Sequence, residues 1–307
     1  EFITVHDCDD WSHPQKLASQ VEPLIADPSL MASASQWVRV QAPFQVTGSW
    51  QLNEGFLELN PSSWLVRRSV FDRIGYWDSV RVEADTEFAQ RLAQHCGQGA
   101  LTTVRRAVPL AFARLSGATL TQQTATHLRT QFYGLRRLYA EAAQWWHRAS
   151  GAAPVMPAVG RPFPVPLGGI MGAKPEVTLV VVANFALDGQ PELANVLARL
   201  EAVYRTHKAN GRGELCLLHW PDVSAWAGNA VADAVFSWAQ KAGVGFAHPG
   251  LTLEAPMVRL LQPLALDSRP SPTVALPSLT VVEGSDGKAC TPQRPWLEYF
   301  RRGGVFC

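Results

Sequence analysis

An almost unbroken apolar run, Val177-Thr178-Leu179-Val180-Val181-Val182-Ala183, lies in the second half of the chain. Strands that are buried on both faces, as in parallel sheets, have this composition rather than an alternation of polar and apolar residues. Apolar residues at helical spacing follow over 192–207, and a second short apolar run follows over 215–219. Strand, helix and strand in this order predict a βαβ unit in a parallel sheet.

The same alternation continues towards the C-terminus. Helical spacing extends over about 225–241, and short apolar runs lie near 257–261 and 279–282. This pattern predicts a doubly wound α/β domain over 176–307. The domain has neither a glycine-rich phosphate loop nor a nucleophile elbow, so the candidate for a ligand-binding turn is the segment 183–189 after the first strand.

Glycine and proline are dense between residues 151 and 175. Proline cannot donate a backbone hydrogen bond to a helix or a sheet, so this composition favours an extended linker. We therefore predict a domain boundary at 151–175 and a first domain over 1–150.

The first domain mixes strand and helix patterns. Strand patterns cover Phe2–Val5 and 31–40, and helical patterns cover 14–25, 85–95 and 124–148. Phe88 and Leu92 mark the apolar face of the 85–95 helix, and Gly97 is its expected C-cap. The sequence thus predicts an α/β class for both domains.

Composition limits the possible functions. The chain is 47% hydrophobic and 17% charged, and its 27 basic and 26 acidic residues nearly cancel, so nucleic acid is not an expected partner. The five cysteines are scattered with no CxxC pair, which favours a reducing compartment. The start has no signal-peptide pattern, and the longest apolar run is too short to span a bilayer. We expect a cytoplasmic protein and leave peripheral association with the inner membrane open.

The segment His6-Asp7-Cys8-Asp9-Asp10 has three carboxylates in four positions, directly after a strand and before a helix. Like charges this close are costly unless a cation offsets them, and carboxylate oxygens suit Mg²⁺ or Mn²⁺. One alternative is a solvated turn that caps the following helix. Another is a phosphohydrolase of the haloacid dehalogenase type, although Trp11 stands where those enzymes usually have Thr or Val.

Four motifs in order resemble family 2 glycosyltransferases, which have a GT-A fold. The stretch HDCDDWSHPQKLASQ, residues 6–20, is similar to their Asp-x-Asp-Asp segment. The stretches 60–68, 71–78 and 82–88 resemble their arginine-ended strand, their Ile-Gly-aromatic-Asp turn and their acidic motif at the head of a helix. The resemblance implies a partial, Rossmann-like GT-A domain over 1–150. The family's nucleobase-holding strands precede the Asp-x-Asp strand, so we expect this chain to lack them.

The resemblance also assigns roles to individual residues. Asp7 and Asp9 would hold Mn²⁺ or Mg²⁺ against the donor diphosphate, and Asp10 would support the donor site. Asp85 would accept the proton of the acceptor hydroxyl. Position 84 is Ala where the family often has Glu, which leaves Glu83 and Glu87 as substitutes. The alternative for Asp85 is a carboxylate that only stabilises the helix N-terminus.

Several aromatic residues and one histidine stand near these motifs. Trp11, Trp50, Trp64 and Trp77 have flat rings that either stack on sugars or fill the core. His127 is either a further metal ligand or a packed histidine.

These patterns predict a metal-dependent inverting glycosyltransferase that uses a nucleotide-sugar donor and a polysaccharide or glycolipid acceptor, with weak or no activity of this chain alone. Two alternatives stay open, a non-catalytic remnant that binds a sugar or nucleotide and a metal-dependent phosphohydrolase. The turn 183–189 resembles the opening of a GT-B-type domain, so the second domain is expected to be GT-B-like.

Overall fold

The computed structural model describes most of the chain. The described residues are 1–48, 55–117, 119–123, 125–151, 153–170, 172, 176–186, 189–211, 213–220, 230–248, 251, 255, 257–262, 281–283 and 289–290. They form two compact units. Unit 1 comprises Glu1–Asp78, Glu83–Gln123 and His147–Gly160, and unit 2 comprises Ser79–Val82, Thr124–Trp146 and the described residues of Arg161–Cys307. The glycine- and proline-rich segment 151–175 is divided between the units after Gly160.

Unit 1 contains three helices and nine strands among its described residues. The helices are α1 (Lys16–Ala26), α2 (Ser69–Ile74) and α3 (Ala84–Cys96). The strands are β1 (Phe2–Thr4), β2 (Trp11–Ser12), β3 (Ala32–Ala34), β4 (Gln36–Gln41), β5 (Gln45–Thr47), β6 (Leu57–Leu59), β7 (Leu65–Arg67), β8 (Leu101–Thr103) and β9 (Pro109–Leu115).

The strands of unit 1 form two mixed sheets. The first has the order β1-β7-β3-β8, with β7 antiparallel to both neighbours and β3 parallel to β8. The second has the order β2-β9-β4-β5, with β4 and β9 parallel and β6 also paired to β4. The α/β class predicted from the sequence is therefore confirmed for this unit.

The pattern over 31–40 predicts one strand, and this prediction is wrong in one respect. The chain leaves the first sheet after β3 and enters the second sheet at β4, with Ser35 between them. The Ser35 amide donates to Ser63 Oγ at 2.9 Å, and the Ser35 carbonyl accepts from the Asn60 amide at 2.9 Å. These bonds come from residues far along the chain, so no local pattern marks the break.

The core of unit 1 lies where α2 and α3 pack on the first sheet. Phe88 and Leu92 are fully buried there, as the helical pattern predicts, and Gly97 follows α3 with a φ of 83°. The other buried members of this core are Ala32, Ala34, Trp64, Val66, Val70, Phe71 and Ile74. Trp77 stacks on Phe88 with ring centroids 4.6 Å apart. Burial of these apolar side chains holds α3 in place.

Unit 2 is built on one six-stranded sheet. Its strands are β10 (Val177–Ala183), β11 (Glu214–His219), β12 (Gly245–Ala247), β13 (Met257–Leu260), β14 (Val281–Glu283) and β15 (Ala289–Cys290), in the order β12-β11-β10-β13-β14-β15. All neighbouring pairs are parallel except β14 and β15. The apolar run that predicts a central strand is β10, and its predicted βαβ unit is confirmed.

The helices of the remaining chain are α4 (Thr130–Tyr133), α5 (Leu135–Ala149), α6 (Pro191–Ala209) and α7 (Asp233–Ala242). The helix predicted over 124–148 is interrupted at Gly134, where the chain is extended. A Cβ at Gly134 would lie 2.8 Å from Thr130 Cβ, so a larger residue does not fit this break without movement. The helix predicted from 225 begins at Asp233 within the described residues, and 221–229 lie outside them. In the described part of the chain, no helix has the length and apolar character to cross a membrane.

Candidate functional site

The acidic turn, residues 6–10, leaves the first sheet at a defined edge. Because β1 and β3 both run antiparallel to β7, they are parallel to each other and to β8. The carboxyl ends of these three strands therefore meet at one edge, together with the start of β7. This edge holds the acidic turn, Ser35, the 3₁₀ turn Pro61–Ser63 and Arg105.

Asp10 attaches the acidic turn to the second sheet. Its Oδ1 accepts the backbone N–H of Arg114 at 2.9 Å, and its own amide donates to the Asp7 carbonyl at 3.3 Å. Directly after it, β2 pairs with β9. Asp7 and Asp9 are exposed. The structure thus brings all three predicted carboxylates together in one turn.

The pKa values of Asp10 and of the neighbouring Lys16 are shifted from their ordinary values. Burial raises the pKa of Asp10, the hydrogen bond from Arg114 opposes that rise, and the charges of Asp7 and Asp9 add to it. Burial also lowers the pKa of Lys16, while Asp10 and Asp7 oppose that fall. The Lys16 ammonium group is buried and donates to Ser12 Oγ at 3.3 Å. The buried Lys16 therefore lies in the field of two carboxylates, Asp10 and Asp7.

Buried polar atoms lie next to the acidic turn at the same sheet edge. Gln20 donates to the carbonyls of Ser33 and Ser63, at 3.1 and 2.6 Å, and Ser63 Oγ donates to the Asn60 carbonyl at 2.7 Å. Within the described residues, Gln20 Oε1, Ser35 Oγ and Asn60 Oδ1 are buried without a hydrogen-bond partner. Such atoms usually bind an ordered water or a ligand.

Asp85 lies in the first turn of α3, on a separate element from the acidic turn. Its Oδ1 accepts the Thr86 amide at 2.8 Å. Glu83, at the N-cap, has a φ of 67°, a left-handed conformation that costs a non-glycine residue about 1–3 kcal/mol. Strained residues of this kind often flank functional sites.

Glu87 has a structural environment that the sequence pattern did not reveal. It is buried, and Arg91 donates to both of its carboxylate oxygens, at 2.8 and 2.9 Å. His147 Nε2 lies 2.8 Å from Glu87 Oε1. Arg91 also donates to the carbonyls of Ile74 and Tyr76. Glu87 is therefore removed from the candidates for a base that meets an acceptor from solvent. Its i, i+4 spacing to Arg91 was the available signal.

The residues around Glu87 also shift the pKa of its carboxyl group. Burial alone would raise the pKa of Glu87. Hydrogen bonds from His147 and Arg91, with the charges of both, outweigh burial and hold the pKa below its ordinary value.

The tryptophans and the histidine that the sequence singled out as candidates for sugar stacking or metal binding differ in their environments. Trp64 and Trp77 belong to the core, Trp11 is 47% exposed, and Trp50 lies outside the described residues. His127 Nδ1 accepts the Arg129 amide at 3.0 Å, and burial, then Arg129 and Arg136, lower the pKa of His127.

In unit 2, the start of the predicted ligand-binding turn follows β10. Asn184 Oδ1 accepts the Ala186 amide at 3.0 Å, and the Phe185 amide donates to His219 Nδ1 at 3.0 Å. Residues 187 and 188 lie outside the described part. The described atoms therefore close a local turn at the carboxyl ends of β10 and β11.

Unit 1 also has an open cavity of about 450 Å³. It is lined by Gln36, Leu57, Leu59, Thr103, Arg106 and Ala107. Gln36 Oε1 accepts the Ala107 amide at 2.9 Å. Arg105 and Ala107 have φ values of 42° and 71°, so the loop between β8 and β9 borders the cavity in a strained conformation.

Comparison with known proteins adds no assignment. No protein-family model matches the chain, and a search of curated proteins finds no significant match to its sequence. Among the described residues, no three His, Cys, Asp or Glu side chains are grouped as ligands for a metal ion.

Proposed function

We propose that the chain is part of a metal-dependent inverting glycosyltransferase that transfers a sugar from a nucleotide-sugar donor to a polysaccharide or glycolipid acceptor. The observation that carries this proposal is the acidic turn. Asp7, Asp9 and Asp10 lie in one turn that follows β1, at the edge where parallel strands of the first sheet end, and α/β proteins commonly bind ligands at such an edge.

The residues of the acidic turn fit Mn²⁺ or Mg²⁺. The candidate ligands are carboxylate oxygens, which these hard cations prefer, and burial, together with the charges of Asp7 and Asp9, raises the pKa of Asp10. Mg²⁺ is commonly bound by one or two carboxylates together with substrate phosphates rather than by a complete protein cage. Asp7 and Asp9 would hold the ion, and Asp10, fixed by the Arg114 amide, would position the turn. When bound, the ion would offset negative charge on the leaving diphosphate.

Asp85 is the proposed general base. Its carboxylate would accept the proton of the acceptor hydroxyl while that oxygen forms the new glycosidic bond and the bond to the diphosphate breaks. The Thr86 amide fixes one carboxylate oxygen at 2.8 Å. Asp85 lies in the first turn of α3, where the helix dipole favours negative charge.

The first sheet of unit 1 and the six-stranded sheet of unit 2 each support a proposal about the fold. For unit 1 we propose a GT-A-like domain, supported by an acidic turn at the carboxyl end of β1. For unit 2 we propose a doubly wound domain similar to GT-B domains, because the order β12-β11-β10-β13-β14 is the 3-2-1-4-5 order of doubly wound sheets.

Calorimetry of nucleotide binding tests the proposed function. UDP and then GDP are titrated into the full chain with and without Mn²⁺, for the wild type, Asp9→Ala and the control Asp72→Ala, which removes an exposed carboxylate from α2. We expect Mn²⁺-dependent binding that is lost only in Asp9→Ala. Absence of nucleotide binding under every condition contradicts a donor site in this chain and favours the non-catalytic alternative.

The phosphohydrolase alternative rests on the same turn, with Asp7 as nucleophile. It gives Asp85 no role, so hydrolysis of p-nitrophenyl phosphate that is lost in Asp7→Asn and retained in Asp85→Asn would favour it. Hydrolysis of UDP-sugars that depends on Asp85 would favour the transferase.

A further inference from the structure

Next to the acidic turn, three aromatic side chains form an exposed surface, here named the aromatic platform: Trp11, Phe112 and Phe44. Trp11 and Phe112 are directly opposite each other on β2 and β9, and their rings stack with centroids 4.9 Å apart and planes 19° apart. The Phe44 ring meets Phe112 edge-on at 5.2 Å. Trp11 is 47% exposed and Phe44 is 65% exposed.

The platform lies on one face of the second sheet, where the edge strand β2 pairs with β9. Side chains alternate along β9, so Ala111 and Ala113 face the core with Trp37 while Phe112 faces the opposite side. Leaving apolar surface in water costs roughly 25 cal/mol per Å². Exposed apolar patches with a polar border commonly mark binding sites.

The border of the platform has charged residues of both signs, Asp10 and the exposed Arg114. Asp10 is the residue before Trp11, and its carboxylate accepts the amide of Arg114, two residues beyond Phe112. A ligand on the platform therefore meets a flat apolar surface on one side and hydrogen-bond acceptors on the other. This combination suits a neutral polyol that has one apolar face.

We propose that the aromatic platform holds a pyranose ring of the acceptor glycan, with a gluco or galacto configuration. In β-linked rings of this kind, the axial hydrogens at C1, C3 and C5 lie on one face, and their partial positive charge favours the negative face of an aromatic ring. The hydroxyl groups at the ring edge would donate to Asp10. This inference rests on the proposed transferase function and names its acceptor.

Other occupants fit less well. A lipid tail or an apolar protein surface would desolvate the carboxylates of the turn without offering them donors. A donor sugar is also disfavoured, because its reacting carbon needs shielding from water, whereas the platform is open to solvent.

Saturation-transfer NMR tests the platform with cellotetraose, chitotetraose and β-1,4-galactotetraose, in the absence of nucleotide and metal. We expect at least one of the three to bind, with the strongest transfer to H1, H3 and H5. Trp11→Ala should weaken binding roughly tenfold, because it removes the largest aromatic contact surface of the platform. Phe44→Ala should weaken it less, and Trp11→Phe should restore part of it.

The matched control is Tyr76→Ala. Tyr76 is 62% exposed and stacks on Phe71 with centroids 5.3 Å apart, so it resembles the Trp11 and Phe112 pair without lying on the platform strands. Circular dichroism shows whether each variant folds, and Phe44→Ala, in a turn, keeps the test usable if Trp11→Ala does not fold. Equal binding by the wild type, Phe44→Ala and Trp11→Phe, or no binding of any probe, overturns the proposal.

The outcomes separate this inference from the proposed function. Asp9→Ala should lose Mn²⁺-dependent UDP binding and keep glycan binding, and Trp11→Phe should keep UDP binding. UDP binding without glycan binding overturns the platform alone. Glycan binding without any nucleotide binding supports the platform as a sugar site and contradicts the transferase.

Discussion

Unit 1 contains two groups of carboxylates with opposite environments. Glu87 is buried, and Arg91 and His147 bind it directly. Asp7 and Asp9 are exposed in the acidic turn beside the half-buried Asp10, whose pKa is raised by burial and further by the charges of Asp7 and Asp9. One group is buried and neutralised, and the other is open and crowded with like charge.

The two environments indicate different roles, a contribution to stability for Glu87 and a role in binding for the acidic turn. A buried carboxylate persists when cations and donors surround it, and its loss leaves the partner charge buried. A crowded surface carboxylate group adds little to stability, so its presence favours a role in binding. The variants below test this difference by measuring how much each carboxylate contributes to stability.

The largest effect is expected for Glu87→Gln. The substitution leaves the Arg91 guanidinium group buried without its counter-charge, which should lower the free energy of unfolding by about 3–5 kcal/mol. Urea denaturation, with hydrogen exchange of the α3 amides to identify unit 1, measures the change. Arg205→Gln is the control, since it breaks an Arg–Glu pair of the same i, i+4 spacing whose arginine is exposed, and it should change little. Equal effects of the two variants would contradict a structural role for Glu87.

The next effect is a pH dependence. The pKa of Glu87 lies below its ordinary value of 4.5, because its hydrogen bonds outweigh burial. Its stabilising contribution is complete above pH 4.5 and is lost as pH falls through the lower folded pKa. Stability of the wild type should therefore fall more steeply than that of Glu87→Gln below about pH 4.5. Parallel pH profiles would show that Glu87 is not the group responsible.

A smaller effect is expected for Asp85→Asn. The asparagine oxygen can still accept the Thr86 amide, and loss of the charge at the N-terminus of α3 should cost about 0.3–1 kcal/mol. Thermal unfolding measures this change. If Asp85→Asn lowered the free energy of unfolding as much as Glu87→Gln does, Asp85 would have a structural role like that of Glu87, and its assignment as the base would be weakened.

The smallest effect is expected for Asp10→Asn. Removal of one like charge from the turn should leave stability unchanged or raise it by roughly 0.5 kcal/mol, a gain that shrinks with added salt. Asp27→Asn is the opposite case, because hydrogen bonds from Ser29 lower the pKa of Asp27, and its loss should destabilise. Clear destabilisation by Asp10→Asn would show that the acidic turn is structural.

Local patterns predicted most of the regular structure. The run Val177–Ala183 is β10 with the predicted bounds, and Phe88 and Leu92 line the buried face of α3. These predictions hold because side-chain periodicity and burial on both faces are properties of short segments. The break at Gly134 was missed, because the apolar spacing over 124–148 predicted one continuous helix.

Long-range contacts account for the differences. Residues 31–40 look like one strand, but Ser35 bonds to Ser63 and Asn60 and divides them between two sheets. Glu87 looks like an alternative base until Arg91 and His147 surround it. The sequence offers the same two alternatives, sugar stacking or core packing, for Trp11 and Trp64. In the structure, Trp64 is in the core and Trp11 is on the surface.

The sequence by itself determined the α/β class, the central strand of the parallel sheet and the cluster Asp7, Asp9 and Asp10, because periodicity and adjacent charges need only neighbouring residues. Only the tertiary structure decided that Glu87 is neutralised and that Trp11 stacks on Phe112. Burial and counter-charges come from segments distant in sequence, and these determine which polar groups are structural and which remain open to a ligand.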